Sequence, residues 1–316
     1  MASIQGFPSR PSVEQVFGDG SENASSDANS PAVETSPTAD ASAVDAAAHD
    51  TFGSGHLWIT EQILGDPLRF RLTDTGFLEF GDRSGVFDHD AVPLRYRAAV
   101  RAVREGFTRD AFAAAVDTPE SVTFFGVATH ARGFAYDLNR IPPFLGTAVH
   151  DADRERYLPP DTVRRAFDLV GIPATEPLDK EVRAVHFDPT DYPIPDSQYR
   201  DGPAAGVVFH NKAGGSAVRW NTDLASVTDT VTSDSIDTSD PVNALLDDQL
   251  TDRHLVRAIS SCRKDDDREV REVVDQVLER LAREVPALAD ETVPPNGSAV
   301  RSALAQRVDR HLRETE

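Results

Sequence analysis

Between His56 and Trp220 the chain sets short apolar stretches between turn signals, the pattern of a sheet-rich body. His56 to Glu61 reads as a strand. Leu68-Arg69-Phe70-Arg71-Leu72 alternates apolar and polar side chains, as a half-buried strand does. Thr73-Asp74-Thr75-Gly76 supplies a turn, and Phe77 to Phe80 returns as the next strand. The period then lengthens. Leu94 to Arg104 and Arg109 to Val116 read as helices, with Thr108 at the N-cap of the second. Val122 to Ala128 and Phe144 to Val149 are apolar runs of the buried-strand type. Pro159-Pro160-Asp161 opens a helix whose apolar face is Val163, Phe167 and Val170, and Gly171 closes it. Gly206 to His210 and Ser216 to Trp220 read as a strand pair turning at Asn211 to Gly215.

On either side of this body the pattern changes. Residues 20–50 are rich in Ala, Ser, Asp and Asn, with almost no large apolar side chains. Such a segment buries too little surface to offset the entropy of ordering it, so residues 20–51 are expected to be disordered. Before them, Ile4 to Phe17 carries a few apolar residues and two prolines, and reads as an extended arm. Residues 226–241 are rich in Ser, Thr and Asp, which marks a linker. Beyond it the period is helical. Val270, Val273, Val274, Val277, Leu278, Leu281 and Val285 fall on one stripe, and Val300, Leu304, Val308 and Leu312 on another. The stripes read as core or inter-domain contact, with a groove for a protein partner as the alternative. The expected organisation is an arm (1–19), a disordered acidic segment (20–51), an α+β body with antiparallel sheets (52–225), a linker (226–241) and a small helical domain (242–316).

Composition narrows the chemistry. A chain of 316 residues with 39% hydrophobic content forms one or two globular domains. No apolar run is long enough to span a bilayer, and Met1 to Asp19 lacks a basic start followed by an apolar stretch, so a cytoplasmic protein is expected. Cys262 is the single cysteine, which excludes an internal disulfide and a cysteine-based zinc site and reads as an idle thiol. The net charge is −21, and the lysines are Lys180, Lys212 and Lys264 against 29 arginines. An acidic, lysine-poor surface is typical of proteins from salt-loving archaea. At ~1 M salt the Debye length is only about 3 Å, so the self-repulsion of such a surface is screened. The acidity therefore reads as an adaptation to solvent. It also argues against loose nucleic-acid binding, which needs a basic face and weakens as salt rises.

Five short segments, in order, carry a family likeness. They are Glu61-Gln62-Ile63-Leu64-Gly65, Phe80-Gly81-Asp82-Arg83, Phe124-Phe125-Gly126-Val127, Ala205-Gly206-Val207-Val208 and Ala217-Val218-Arg219; Pro143-Phe144-Leu145-Gly146 lies between the third and fourth. Their order and spacing over residues 56–220 resemble the motifs of the ATP-dependent RNA ligases, a branch of the covalent nucleotidyltransferases, and the acid-rich composition favours the RNA-ligase-domain proteins of halophilic archaea. The resemblance implies a nucleotidyltransferase fold of the ATP-grasp-like ligase adenylation type. It implies ATP and Mg2+ as cofactors and RNA or a nucleotide as partner. In such enzymes a lysine amine attacks the α-phosphorus of ATP, a second lysine offsets triphosphate charge, and carboxylates hold the divalent ion.

The departures fall at the polar positions that perform this chemistry. Gln62 stands at the nucleophile position and Leu64 at the motif's aspartate. Val127 and Ala205 stand at the glutamates, and Val218 at the fifth-motif lysine. An amide nitrogen has a delocalised lone pair and is not a useful nucleophile, and Val127 and Ala205 cannot ligate magnesium. The scaffold glycines Gly65, Gly81, Gly126 and Gly206 remain. The expected protein is a ligase-like fold without covalent chemistry, binding a nucleotide or RNA end or partnering an active ligase. Its candidate contacts are Glu61, Gly65, Arg83, Phe144, Lys212 and Arg219. The alternatives are an active ligase with Lys212 as nucleophile, though Lys212 reads more simply as a surface-turn residue, and an interaction module built on the C-terminal helices. His56, His130, His150 and His210 fall near the cleft strands. His130 could line the pocket and His210 could replace a phosphate contact. His150-Asp151-Ala152-Asp153 matches no common zinc spacing and reads as a surface turn, so no metal site is assigned.

Overall fold

A computed structural model describes residues 5–13, 52, 54–131, 134–224, 270–284 and 298–315. The segment expected to be disordered (20–51), the linker 226–241, Cys262, Lys264 and Val285 lie outside the described residues. The strands are β1 (His56–Glu61), β2 (Asp66–Leu72), β3 (Leu78–Gly81), β4 (Val122–Ala128), β5 (Phe144–Asp151), β6 (Arg156–Tyr157), β7 (Pro177–Arg183), β8 (Gly206–Asn211) and β9 (Ser216–Trp220). The helices are α1 (Leu94–Gly106), α2 (Arg109–Ala115), α3 (Pro160–Val170), α4 (Val270–Glu284) and α5 (Ser298–Thr315). The strands form two sheets, one ordered β7-β1-β8-β9 and the other β3-β2-β4-β5-β6. Every strand pairing in them is antiparallel, so the body is α+β as its pattern predicts.

Alternation along the strands sorts side chains to two faces of each sheet. On the five-stranded sheet, Phe70, Phe124 and Phe144 turn to one face and pack beneath α1, α2 and α3. Phe70 stacks on Phe124 at 5.0 Å with the rings 6° apart, and Phe124 meets Phe167 of α3 edge-on. Burying such rings makes this the main core, where each Phe→Ala change would cost about 3–5 kcal/mol. On the four-stranded sheet, Leu57, Ile59, Val207, Phe209 and Ala217 form a second core with Val13 from the N-terminal arm. The two remaining faces are turned toward each other across a cleft, into which Trp58, Thr60 and His210 project from one sheet and Thr147, Ala148 and Tyr157 from the other.

Several elements differ from the sequence reading. β5 runs on to Asp151, which places His150 inside a strand, 7% exposed and edge-on to the Tyr157 ring, not in a surface turn. β7 has no apolar alternation to announce it, because Pro177, Asp179, Lys180 and Glu181 interrupt it. It is an edge strand, where a proline and charges are tolerated, and its register with β1 slips around Glu181 at φ 55. Thr108 sits at the N-cap of α2 but makes no side-chain capping bond. The C-terminal stripe is spent on the body: α4 buries Val274, Val277, Leu278 and Leu281 while packing on α1. Arg101 of α1 clamps Glu279 of α4 with bonds of 2.6 and 2.9 Å. Leu304 and Val308 of α5 are buried where that helix meets α4.

Candidate functional site

The chain leaves the four-stranded sheet after Glu61 and enters the five-stranded sheet at Asp66, so residues 62–65 bridge the two sheets. The Gln62 amide N–H donates to the Gly206 carbonyl at 2.9 Å, which ties the bridge to β8. The Gln62 side chain does not reach outward to a ligand: its Nε2 donates to the neighbouring Ile63 carbonyl at 2.9 Å. Ile63 joins Val127, Phe134, Tyr136, Ile141, Leu145 and Ala205 in one apolar cluster, with Leu64 packed against it. Val127 and Ala205 come from different sheets and meet here, 9% and 5% exposed. The Tyr136 hydroxyl accepts the Leu64 N–H at 2.8 Å, and burial pushes that phenol far above its usual range. A Cβ at Gly65 would meet the Val127 side chain and the Ala128 carbonyl, so the bridge needs glycine to approach β4.

Glu61, the one carboxylate of this segment, is taken up by a neighbouring loop. It is 3% exposed and accepts from Ser197 Oγ at 2.5 Å and from the Gln198 N–H at 2.8 Å. Burial raises its pKa, and these two bonds and the nearby Arg140 and Arg200 oppose the rise without cancelling it. Glu61 thus fastens the 197–198 loop to the end of β1.

The space between the sheets is threaded by the N-terminal arm. The Gln5 carbonyl accepts from Arg69 Nη1 of β2 at 2.7 Å, and the Gly6 carbonyl accepts from the Tyr157 hydroxyl of β6 at 2.9 Å. The Phe7 ring lies edge-on to Phe125 at 5.3 Å. The guanidinium groups of Arg69 and Arg83 stand over it at 5.2 and 5.4 Å. Further on, Val218 of β9 donates its N–H to the Pro11 carbonyl at 3.0 Å, and Ser12 bridges to Val218 in parallel. Arg10 lines the cavity that remains, about 50 Å³, together with Thr60, Tyr157, His210 and Ser216.

The other predicted contacts scatter. Phe144 is 1% exposed, packs edge-on to Phe70 in the main core and faces away from the cleft. Arg83 is exposed at the arm. Arg219 alternates with Val218, which puts it on the Ala217 face with Val207, near Asp188. Lys212 lies in the β8–β9 turn and pairs with Glu181 at 2.8 Å. Leu57 pairs with Asn211 and Glu61 with Val207, so Lys212 sits at the far end of β1 from Gln62, about six residues or ~20 Å along the strand. His56 is 4.0 Å from the same Glu181. His130 is 5% exposed and stands 3.3 Å from Asp66. His210 is within 3.0 Å of Thr60 Oγ1, and burial and then the Arg10 cation depress it to about 3. Burial lowers His150 as well, against the pull of Asp151.

These residues do not fit ATP and a divalent ion in the manner the motifs imply. The positions that would hold the metal are the aliphatic side chains of Val127 and Ala205, and Glu61 is committed to Ser197 and Gln198. Among the described residues there is no group of three or more His, Cys, Asp or Glu that could hold a metal ion, and no helix is long and apolar enough to cross a membrane.

Three participants have no motif to announce them. Phe7 and Arg10 belong to the arm, whose apolar and basic residues stand out only against the Ala-Ser-Asp tract that follows. Arg283, at the end of α4, donates to the carbonyls of Thr129 at 2.9 Å, Leu138 at 3.3 Å and Ile141, and to Thr129 Oγ1 at 2.8 Å. Burial and then the charge of Arg280 depress it to about 10. It holds the segment that carries Tyr136 and Ile141 over the apolar cluster.

No family model and no curated protein matches this chain in sequence. Among solved structures it is similar to Naegleria gruberi RNA ligase. An alanine mutant of that ligase with ATP and Mn shows a TM-score of 0.45 and 14% identity, covering 57% of this chain and 53% of that one. A second alanine mutant with ATP and Mn gives 0.45 and 14%, covering 56% and 53%. The ligase with PPi gives 0.45 and 14%, covering 56% and 52%. The chain spans about half the length of the ligase chains it matches.

Proposed function

We propose that this chain is a ligase-like protein without covalent nucleotidyl transfer, holding a nucleotide or an RNA end non-covalently or partnering an active ligase. One observation carries the reading. The positions where a nucleotidyltransferase keeps its metal ligands and the start of its nucleophile loop form a closed apolar cluster, Ile63, Leu64, Val127 and Ala205 with Tyr136, Ile141 and Leu145. A charged triphosphate and a divalent ion brought there would lose hydration without gaining partners, a cost of several kcal/mol per uncompensated charge. Gln62, meanwhile, spends its amide on its own backbone neighbour. The Lys212 alternative has no supporting geometry, since that amine pairs with Glu181 away from Gln62. The composition supports a haloarchaeal setting, so the assays belong in molar KCl.

The test is intact-mass spectrometry after incubation with ATP and Mg2+ or Mn2+, beside calorimetric titration with ATP and with 5′-adenylated RNA. The expected result is an unmodified mass and saturable binding of at least one ligand. Covalently attached AMP, above all AMP that disappears in Lys212→Ala, would overturn the reading.

A further inference from the structure

The arm brings a cation into the cleft, where no described carboxylate lines the cavity beside it. Arg10 is partly buried between the sheets, lining the cavity with Thr60, Tyr157, His210 and Ser216. The charged neighbour that acts on it among the described residues is another cation, Arg83. Among the described residues, no carboxylate lines the cavity. Burial first, and Arg83 second, hold the guanidinium down to about 10. A cation drawn partly out of water in this way gains when an opposite charge reaches it. Beside apolar side chains such as Trp58, Leu158 and Val163, the lining offers the hydroxyls of Thr60, Tyr157 and Ser216, the ring of His210, and Arg164, which is paired with Glu176. The arm is held on both sides of this point, by Arg69 and Tyr157 before it and by Val218 after it. Arg10 is therefore set in place, and an ordered guanidinium is the group best suited to a phosphate oxygen pair. The cavity, about 50 Å³, has room for a few waters or one small tetrahedral anion.

We propose that the cleft at Arg10 is a phosphate site, in which the N-terminal arm itself supplies the arginine that clamps a phosphate or diphosphate group between the two sheets. The inference rests on the non-covalent reading above and gives it a location. The ligand is held at Arg10, between β1, β6, β8 and β9, and not at the Gln62 cluster.

The experiment follows the thermal stability of the full chain in molar KCl, titrated separately with inorganic phosphate, pyrophosphate, ATP, adenosine and a 5′-phosphorylated or 5′-hydroxyl oligoribonucleotide. At that salt only contact-distance charge pairs survive screening, with a Debye length of about 3 Å. The expected result is stabilisation by phosphate or pyrophosphate and none by adenosine, with apparent affinity weakened about tenfold or more in Arg10→Gln and only partly restored in Arg10→Lys, whose point charge lacks the planar fork. ATP effective without the 5′-phosphorylated RNA identifies a nucleotide as the source of the phosphate, and the reverse identifies an RNA end. Limited proteolysis of the arm in Arg10→Gln shows whether it is still docked, and Ser216→Val with Thr60→Val tests the cavity without touching the arm. Loss of binding in those hydroxyl variants supports the site even if Arg10→Gln releases the arm. No phosphate binding, or binding unchanged in both Arg10→Gln and the hydroxyl variants, overturns the proposal. Such a failure leaves the absence of covalent AMP standing, whereas covalent AMP would overturn the reading and not this site.

Discussion

Val127→Glu returns to the chain the carboxylate type that a nucleotidyltransferase would carry there, and the apolar cluster makes its cost calculable. Val127 is 9% exposed and surrounded by Ile63, Phe134, Tyr136, Ile141, Leu145 and Ala205. A glutamate at such a site keeps its proton, because burial in apolar surroundings lifts carboxyl pKa values to as high as about 8–9. In the unfolded chain the same group has a pKa of ~4.3. The folded value is the higher one, so the folded state binds more protons between the two values and loses stability as pH rises through that window. Each pH unit is worth about 1.36 kcal/mol, so the loss reaches about 3.5 kcal/mol at pH 7, with about 1 kcal/mol more for the lost valine packing. That is a large part of a typical stability of 5–15 kcal/mol. The assay is denaturant unfolding of wild type and variant in molar KCl at pH 5.5 and 7.5. The stability gap should widen by about 2.7 kcal/mol between those pH values. A gap that is the same at both, or that closes when Mn2+ is added, would show a hydrated, metal-ready site and refute the cluster argument.

Four further outcomes follow from the same packing. Glu61→Gln should gain stability relative to wild type as pH rises above the ordinary carboxylate value, because burial raises the Glu61 pKa and the wild type alone loses stability through that window; paired thermal melts from pH 4.5 to 8 check the sign. Arg283→Met leaves the carbonyls of Thr129, Leu138 and Ile141 without their donor and should cost about 3 kcal/mol, read as faster amide exchange over residues 134–141 and a lower melting temperature. Gly126→Ala places a Cβ against the Phe144 ring and the Leu145 carbonyl and should cost about 2–3 kcal/mol in chemical denaturation. Arg10→Gln and Val127→Glu share no contact residue, so in the double variant their stability effects should add within about 0.5 kcal/mol.

Most of the scaffold was legible because it rests on local alternation. His56 to Glu61 and Val122 to Ala128 announce strands by their own composition, and Gly171, at φ 74, closes α3 as its position predicts. What escaped lies in tertiary partnership. β7 is polar and is a strand only because β1 offers it an edge. His150 looks like the start of a charged turn until Thr123 pairs with it across β4 and β5. At the candidate site, the substitutions at Gln62, Val127 and Ala205 were visible as missing chemistry. That they would meet as one cluster was not, since Val127 and Ala205 are on different sheets and Tyr136 and Ile141 come from a loop held by Arg283. Phe144 keeps its place in the sequence pattern but faces the main core, because strand alternation fixes its face whatever the motif suggests.

The two ends of the inter-sheet space ask for opposite ligands. At the Gln62 end, aliphatic side chains from β4, β5, the bridge and the start of β8 close on one another, Glu61 is committed to Ser197 and Gln198, and a charged group arriving there would be stripped of water with nothing in exchange. At the Arg10 end, hydroxyls, a neutral histidine and the Arg10 guanidinium stand with no carboxylate among the described residues lining the cavity. Binding free energy for a phosphate is thus available at the arm's side of the cleft and withheld at the nucleophile's side. Covalent transfer needs the α-phosphorus beside an amine, whereas here the side chain at the nucleophile position is an amide turned back on its own backbone. A fold arranged in this way can hold a phosphate without attacking it, and the residue that decides the matter, Arg10, lies outside every motif that resembles an enzyme.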